Sequence, residues 1–561
     1  MEEKQQQEAV KSATESPKYG GVLTLALETD TIYFDEGTNR TMNAGDYTHD
    51  ELSIIDWTRG PQGTSELLLN YNAFHRQAYY IGSIAERWEY TPPTGMVLYI
   101  RQGVHFGLNP AFEASRLVNG REMTADDVVY TLKRLFTGPG AYLRNSYSAL
   151  AAVIQITARD KYTVDIKATP ETFMELYHTI LTFAHIVAPE VVQKYGNQDS
   201  WKNQVGTGPF MINDYIPGSL IAYVRNPNYW MRDPMGPGKG NQLPYIDGVR
   251  ILTIPDPSTR QAALRTGKID QMMGNTLEEK DVILKHAPAL KMDEYWTQNA
   301  PSLGMKIYDP KLPFKDVRVR RAMIMAVDYK TIVKDYYGGA AQYFNWPFTH
   351  LKDYDSLWIP FEQMPASVQE LYTYNPEKAK QLLKEAGYPS GFKTSSMLLS
   401  SQVDYWSIIK DYWSRIGIDL QLDIKETAVH TAMWRNFTYP EMITASTGGI
   451  GSYYRLIGFA GPDYYNASQV KEPYIEDVKD KIISIFSTNL DWIEIDRLYR
   501  ELLPSVIDQA YMIPSPTPAR YTLWWPWLKN YGGEIQLSFA SGATPFRFVW
   551  LDLDLKKKMG Y

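Results

Sequence analysis

The residue types that carry most enzyme chemistry are either missing from this chain or wrongly spaced for it. There is no cysteine, which removes thiolate metal ligands, a thiol nucleophile and disulfides together. Eight histidines occur, at positions 49, 75, 105, 178, 185, 286, 350 and 430. No two have the spacing of a helix-borne zinc pair and no HExxH string is present, so each reads as structural or surface. Gly236 to Gly240, GPGKG, lacks the GKS or GKT ending of a phosphate loop and lies among prolines, so it reads as a turn. Neither GxSxG nor GxGxxG occurs. Two SxxK strings, Ser407 to Lys410 and Ser468 to Lys471, have no SDN or KTG companion. Asp126 and Asp127 are adjacent on a predicted helix and cannot face one another across a substrate, and Asp127 already serves as a capping residue. The pattern argues against an enzyme and calls for no metal or cofactor.

What the chain has in quantity is aromatic surface, with 15 Trp and 41 Tyr. Amphipathic rings give large contact area at small entropic cost, which suits a cleft gripping a small molecule. Trp406 and Trp413 fall on an apolar helix stripe and read as packing. More informative is Ala445 to Ser468, ASTGGIGSYYRLIGFAGPDYYNAS, where no regular period survives. Gly448, Gly449, Tyr453, Tyr454 and Arg455 in this stretch are candidates for ligand contact, and Asp463 is its only acid. Tyr33, in TDTIYFDEG, and Trp434, beyond an alternating run, are further candidates.

These residues need a frame. KYGGVLTLALETD alternates and ends in turn residues, as a first strand should. A capping box of Thr124 and Asp127 precedes a helical stripe of Val129, Leu132, Leu135 and Phe136. Asn375 caps a helix with Pro376 at its first position, Ala379, Leu382, Leu383 and Ala386 on one face, and Gly387 after it. Trp406, Ile409, Trp413 and Ile416 form another stripe, ended by Gly417. Ile418, Leu420, Leu422 and Ile424 then alternate with polar residues. Helix, glycine and strand in such succession indicate an α/β fold. Asp316 precedes the stripe Val319, Ala322, Met323 and Ala326, and Ser258 precedes a short helix ended by Gly267. Gly107 to Val118, Met231 to Gln242 and Thr444 to Ser468 read as non-regular insertions.

At 561 residues the chain exceeds one core. Its net charge of −7 is spread among interspersed acids and bases, unlike a nucleic-acid surface. No run of about 18 apolar residues exists to span a membrane. Residues 1 to 16, MEEKQQQEAVKSATES, are polar and read as part of a flexible leader covering 1–18.

Seven stretches taken in order resemble one family. They are Ile84 to Phe106 (IAERWEY…YIRQGVHF), Asn119 to Leu132 (NGREMTADDVVYTL), Val205 to Trp230 (VGTGPFMINDYIPGSLIAYVRNPNYW), Leu243 to Asp270 (LPYIDGVRILTIPDPSTRQAALRTGKID), Pro313 to Val333 (PFKDVRVRRAMIMAVDYKTIV), Tyr374 to Tyr388 (YNPEKAKQLLKEAGY) and Tyr412 to Leu422 (YWSRIGIDLQL). The chain is similar over these to the extracytoplasmic solute-binding proteins of ABC importers, of the oligopeptide and dipeptide-binding type (family 5). The resemblance implies an α/β, periplasmic-binding-protein-like fold of three lobes, with a ligand cleft between two main lobes joined by a hinge. Lobe I would take 19–58, 201–296 and 511–561, lobe II 59–200, and lobe III 297–510. It implies capture of a peptide or similar solute by hinge closure and delivery to an ABC permease, by a monomer lipid-anchored outside the cytoplasmic membrane. Family members also take oligosaccharides, nickel chelates and other solutes, so those ligands, a sensory role and a hydrolase remain as alternatives. By the same resemblance Gly206 to Gly208, GTG, form a permissive turn at a lobe crossing, and the Ala445–Ser468 stretch faces the cleft.

Overall fold

The computed structural model describes residues 15–31, 33–35, 37, 44–70, 77–91, 94–138, 141, 155–169, 180–297, 299–446, 465–537 and 544–561. The chain forms two compact units. Met1–Tyr295 and Arg520–Tyr561 make the first, and Trp296–Ala519 makes the second. The stretches expected as lobes I and II fall mainly in the first unit, and the stretch expected as lobe III falls in the second.

The longer strands of the first unit begin with β1 (Val22–Leu27), β2 (Ala85–Thr91), β3 (Gly95–Ile100), β4 (Gln155–Asp160) and β5 (Thr163–Lys167). Then come β6 (Phe210–Ile216), β7 (Leu220–Arg225), β8 (Gly248–Thr253), β9 (Gln271–Asn275) and β10 (Lys291–Tyr295). One sheet has the order β1-β8-β7-β6 and a separate one the order β2-β3-β5-β4. β1 runs parallel to β8 with Leu23 opposite Val249 and Leu25 opposite Ile251. All four are buried in one core, which is why the alternation of VLTLAL is legible: a strand with one wet face buries every second residue.

Three helices of this unit test the sequence reading. α1 (Glu113–Val118) lies inside Gly107–Val118, which had been expected to be irregular. Six residues are too few for a 3.6-residue period to register. α2 (Ala125–Thr137) has the expected capping box, and the Asp127 carboxylate accepts from Thr124 N at 2.8 Å. Its buried residue beside Leu132 is Val128, not Val129, because i and i+4 share a face. α3 (Pro257–Arg265) is capped by Asp256, whose carboxylate accepts from Thr259 N at 2.7 Å, so Ser258 is inside the helix and does not precede it.

The second unit contains β11 (Pro301–Met305), β12 (Phe392–Leu399), β13 (Ile418–Lys425), β14 (Met442–Ser446) and β15 (Met512–Pro514). Its sheet has the order β13-β12-β14-β11-β15. β13 and β14 both run parallel to β12, whereas β11 is antiparallel to β14 and β15. The helices α4 (Val317–Met325), α5 (Pro376–Glu385), α6 (Val403–Ser414) and α7 (Thr427–Arg435) surround the core. Asp316 caps α4 and Asn375 caps α5 as the sequence indicates. Trp406, Ile409, Trp413 and Ile416 are buried in a single cluster. The Trp413 indole N–H donates to Met323 O at 2.8 Å, so this large ring is buried without an unmet donor.

Finally β16 (Arg520–Trp524) returns to the first unit and becomes the middle strand of the sheet β9-β16-β10. Among the described residues no helix is long and apolar enough to cross a membrane.

Candidate functional site

In an open parallel sheet, ligands gather outside the carboxyl ends of the strands where the order of winding reverses. The second unit has such a point. From β12 the chain moves outward to β13 and then crosses back to β14 on the other side of β12. Leu399, Lys425 and Ser446 end these parallel strands along one edge. Pro301, the first residue of β11, lies opposite Ser446, and Pro514, the last of β15, lies opposite Ser302. The chain therefore enters and leaves the unit along this same edge.

A buried polar chain fixes the edge from beneath. Gln402 Oε1 accepts from Leu399 N at 3.0 Å and from Thr444 Oγ1 at 2.7 Å. With the Thr444 hydroxyl proton so used, His430 Nε2 must be the donor in its 3.0 Å contact with Thr444 Oγ1. Burial lowers the His430 pKa, which favours the neutral ring, with its proton on Nε2. The edge above the chain mixes charged and apolar groups, with Lys425 paired to Asp423 at 2.8 Å. Ile424, expected on the buried face of its strand, is 53% exposed at the end of β13, and Val429 on α7 is 48% exposed.

The Ala445–Ser468 stretch springs from this edge. Gly448, Gly449, Tyr453, Tyr454, Arg455 and Asp463 lie outside the described residues, but both bases of the stretch are fixed. Ser446 is paired with Pro301. At the other end Ser468 Oγ accepts from Met305 N at 3.0 Å and donates to Tyr511 O at 2.6 Å. A side chain on Gly304 would stand 2.4 Å from the Ala467 methyl, so the glycine lets this base press onto β11. Trp434 sits on α7 with its ring packed against the unit's core and edge-on to Tyr465, centroids 5.6 Å apart. Ser407 Oγ, by contrast, bonds Val403 O within α6. Both SxxK serines are thus held in structural contacts.

In the first unit Tyr33 is 46% exposed on a firmly held backbone. Tyr215 OH lies 2.9 Å from Thr31 O, and Gln204 Nε2 donates to Phe34 O at 2.8 Å. Asp35 is fully buried and paired with Arg134, whose Nη1 is 2.6 Å from its Oδ1. Burial pushes the Asp35 carboxyl up, but the Arg134 guanidinium outweighs it and holds the group below the usual carboxylate range.

Sequence reasoning passed over a buried polar seam in the same unit. His185 Nε2 lies 3.8 Å from Asp46 and 3.6 Å from Glu51, and its ring stacks on His49 at 5.9 Å. Burial, aided by His185, holds His49 down at about 3, so that ring is neutral. Next to it Arg547 Nη1 donates to Asp50 Oδ1 at 2.9 Å and to Tyr229 OH at 2.8 Å, while Trp230 Nε1 donates to Asp50 Oδ2. These contacts join segments far apart in sequence, and no local pattern announces them. Among the described residues no group of three or more histidine or acidic side chains is arranged to hold a metal ion. Gly206 and Gly208 pack on this segment. A Cβ on Gly206 would meet Thr48 O at 2.2 Å, so close approach is what each glycine provides here.

The carboxyl edge of this sheet, with its buried polar brace, is the candidate ligand-binding edge of the second unit. A family model for bacterial extracellular solute-binding proteins, family 5, middle, matches residues 80–465. This chain belongs to that family. It is 28% identical over 408 residues to heme-binding protein A of Haemophilus influenzae, covering 64% of this chain and 68% of that one. It is 25% identical over 449 residues to the dipeptide-binding protein of Escherichia coli, covering 74% and 75%. The fold matches the periplasmic binding protein DppA of Helicobacter pylori, solved with the peptide STSA, at a TM-score of 0.71 and 22% identity, covering 95% of this chain and 99% of that one.

Proposed function

We propose that this protein captures a peptide or peptide-like solute outside the cytoplasmic membrane and delivers it to an ABC permease. The observation that carries the reading is the carboxyl edge of the β13-β12-β14 sheet, from which the glycine- and tyrosine-rich stretch 445–468 departs on two fixed bases. Tyr33, Trp434, Gly448, Gly449, Tyr453, Tyr454, Arg455 and Asp463 are the proposed solute contacts. The lobes are those of 19–58 with 201–296 and 511–561, of 59–200, and of 297–510. The separate sheet formed within 59–200 supports the middle division. Closure is a population shift: a solute that gains contacts only in the closed state stabilises that state by its differential affinity. The protein acts as a lipid-anchored monomer, and its role is binding, not turnover.

Native mass spectrometry of the purified protein tests this, followed by calorimetry with a peptide library. A retained or titrated peptide, recovered intact, is the expected result. A bound oligosaccharide or metal chelate, or cleavage products that scale with protein concentration, would overturn it.

A further inference from the structure

The end of β10, where the chain leaves the first unit, is flanked by two acids for which no ion pair exists among the described residues. Glu534 is fully buried. Its Oε2 accepts from Gly532 N at 2.6 Å and its Oε1 lies 3.4 Å from Gln62 Nε2. Asp293, on β10, accepts from Asn70 Nδ2 at 2.6 Å, and the same amide donates to Glu294 O at 3.0 Å. The turn Gly532–Gly533 separates the two carboxyls. A Cβ on Gly532 would stand 3.3 Å from Glu534 Oε1, and one on Gly533 would stand 3.1 Å from Asp293 Oδ2. Gly533, at φ +101°, has no room or conformational licence for a side chain.

A buried carboxylate without a positive partner neutralises itself instead of remaining charged. The two groups that donate to Glu534, Gly532 N and Gln62 Nε2, are both neutral and leave the missing positive charge unsupplied. We propose that Glu534 is held as the neutral acid and, with Asp293, forms a proton-operated clasp on the end of β10.

The surrounding titratable and charged groups do not supply the missing positive charge. Along β10 these are Lys291, Glu294 and Tyr295, and on β16 they are Arg520 and Tyr521. Arg520 stands opposite Tyr295 in the ladder, and Tyr521 OH donates to Glu294 at 2.7 Å. Tyr531 OH accepts from Gln271 at 3.0 Å. Burial pushes Glu534 up to about 7 and Asp293 up to about 6, each further raised by an acidic neighbour. An acid raised in the folded state holds protons that the unfolded chain has lost. Stability is then greatest below the unfolded value, near about 4, and falls as pH rises until the folded value is passed. The clasp is therefore closed in mildly acid medium and loosened above neutrality, when two negative charges face the same turn.

Thermal unfolding of the full chain between about pH 4.5 and about pH 8 tests the clasp. The midpoint is expected to fall by several degrees across this range. Glu534→Gln, which cannot ionise, is expected to flatten most of that fall and to match or exceed the wild type at the alkaline end. In infrared difference spectra at neutral pH the wild type should show a protonated-acid carbonyl stretch that Glu534→Gln abolishes. Should that variant not fold, Asp293→Asn must move the steep part of the wild-type curve to lower pH. An unchanged slope in the variant that folds, or the lack of an acid band in the wild type, overturns the proposal. So does alkaline stabilisation of the wild type specific to sodium or potassium, since a bound cation would then be the neutralising partner.

Discussion

Tyr295 and Arg520 face one another in the last rung of the ladder between β10 and β16, and the chain leaves the first unit directly after one and returns at the other. Inside the second unit the same two connections are joined again where Ser515 N donates to Pro301 O at 2.9 Å. On the returning connection Thr517 and Pro518 pair with Gln342 and Ala341, and Ala519 N donates to Ala340 O at 2.9 Å. Small-angle scattering with a saturating peptide solute is expected to show a smaller radius of gyration than without it. An unchanged profile would rule out closure as the mode of capture.

Arg134→Ala would strand the buried Asp35 carboxylate beneath Tyr33. The expected loss is about 3–5 kcal/mol in denaturant titration, because an uncompensated buried charge remains. The folded pKa of Asp35 is depressed, so its share of stability is present above the ordinary Asp value and is lost as pH falls through the folded value. In wild type this share should therefore disappear in acid below about pH 4, and the difference between wild type and variant should narrow there.

Thr444→Val keeps shape but deletes the hydroxyl linking His430 to Gln402. A buried donor at His430 Nε2 is then unmet, which should cost about 1–3 kcal/mol. Because the chain braces the carboxyl edge, peptide affinity measured by calorimetry should drop as well. Full stability together with wild-type affinity would remove this edge from the binding reading.

Gly391 and Gly417 meet where β12 and β13 begin. Gly391 has φ +75°, and a Cβ there would stand 1.8 Å from Gly417 O. Gly391→Ala should cost more than about 3 kcal/mol, since backbone strain and overpacking add. Gly218, at φ +71° with open space around it, is the control. Its alanine variant should cost only about 1–2 kcal/mol by urea unfolding.

Much of the frame was legible because it is written in local terms. Thr124 with Asp127 and Asn375 with Pro376 announce helix starts within four residues, and the stripe of Trp406 to Ile416 declares its buried face. Errors arose where the local signal was degenerate. Asp256 and Ser258 are both plausible caps, and only the contact with Thr259 N decides between them. Ile424 continues the alternation of β13 past the point where the core ends. The candidate edge was legible only as a loss of pattern after Ser446. The seam of His49, His185, Asp46 and Glu51 and the pair of Asp293 and Glu534 were not legible at all, since each is made by residues brought together over long sequence separations. No spacing rule reaches that far.

β16 is the middle strand of its sheet, yet both of its neighbours, β9 and β10, precede the whole second unit in the chain. During synthesis the amino-terminal unit must wait with a gap in its sheet until the last part of the polypeptide emerges, whereas the second unit has all its strands as soon as Ala519 is made. The unit begun first is completed last. Closing that gap means bringing together ends separated by an entire folded body, a non-local step that slows folding more than it weakens the product. A chain so arranged stays unfinished until its last strand is in place.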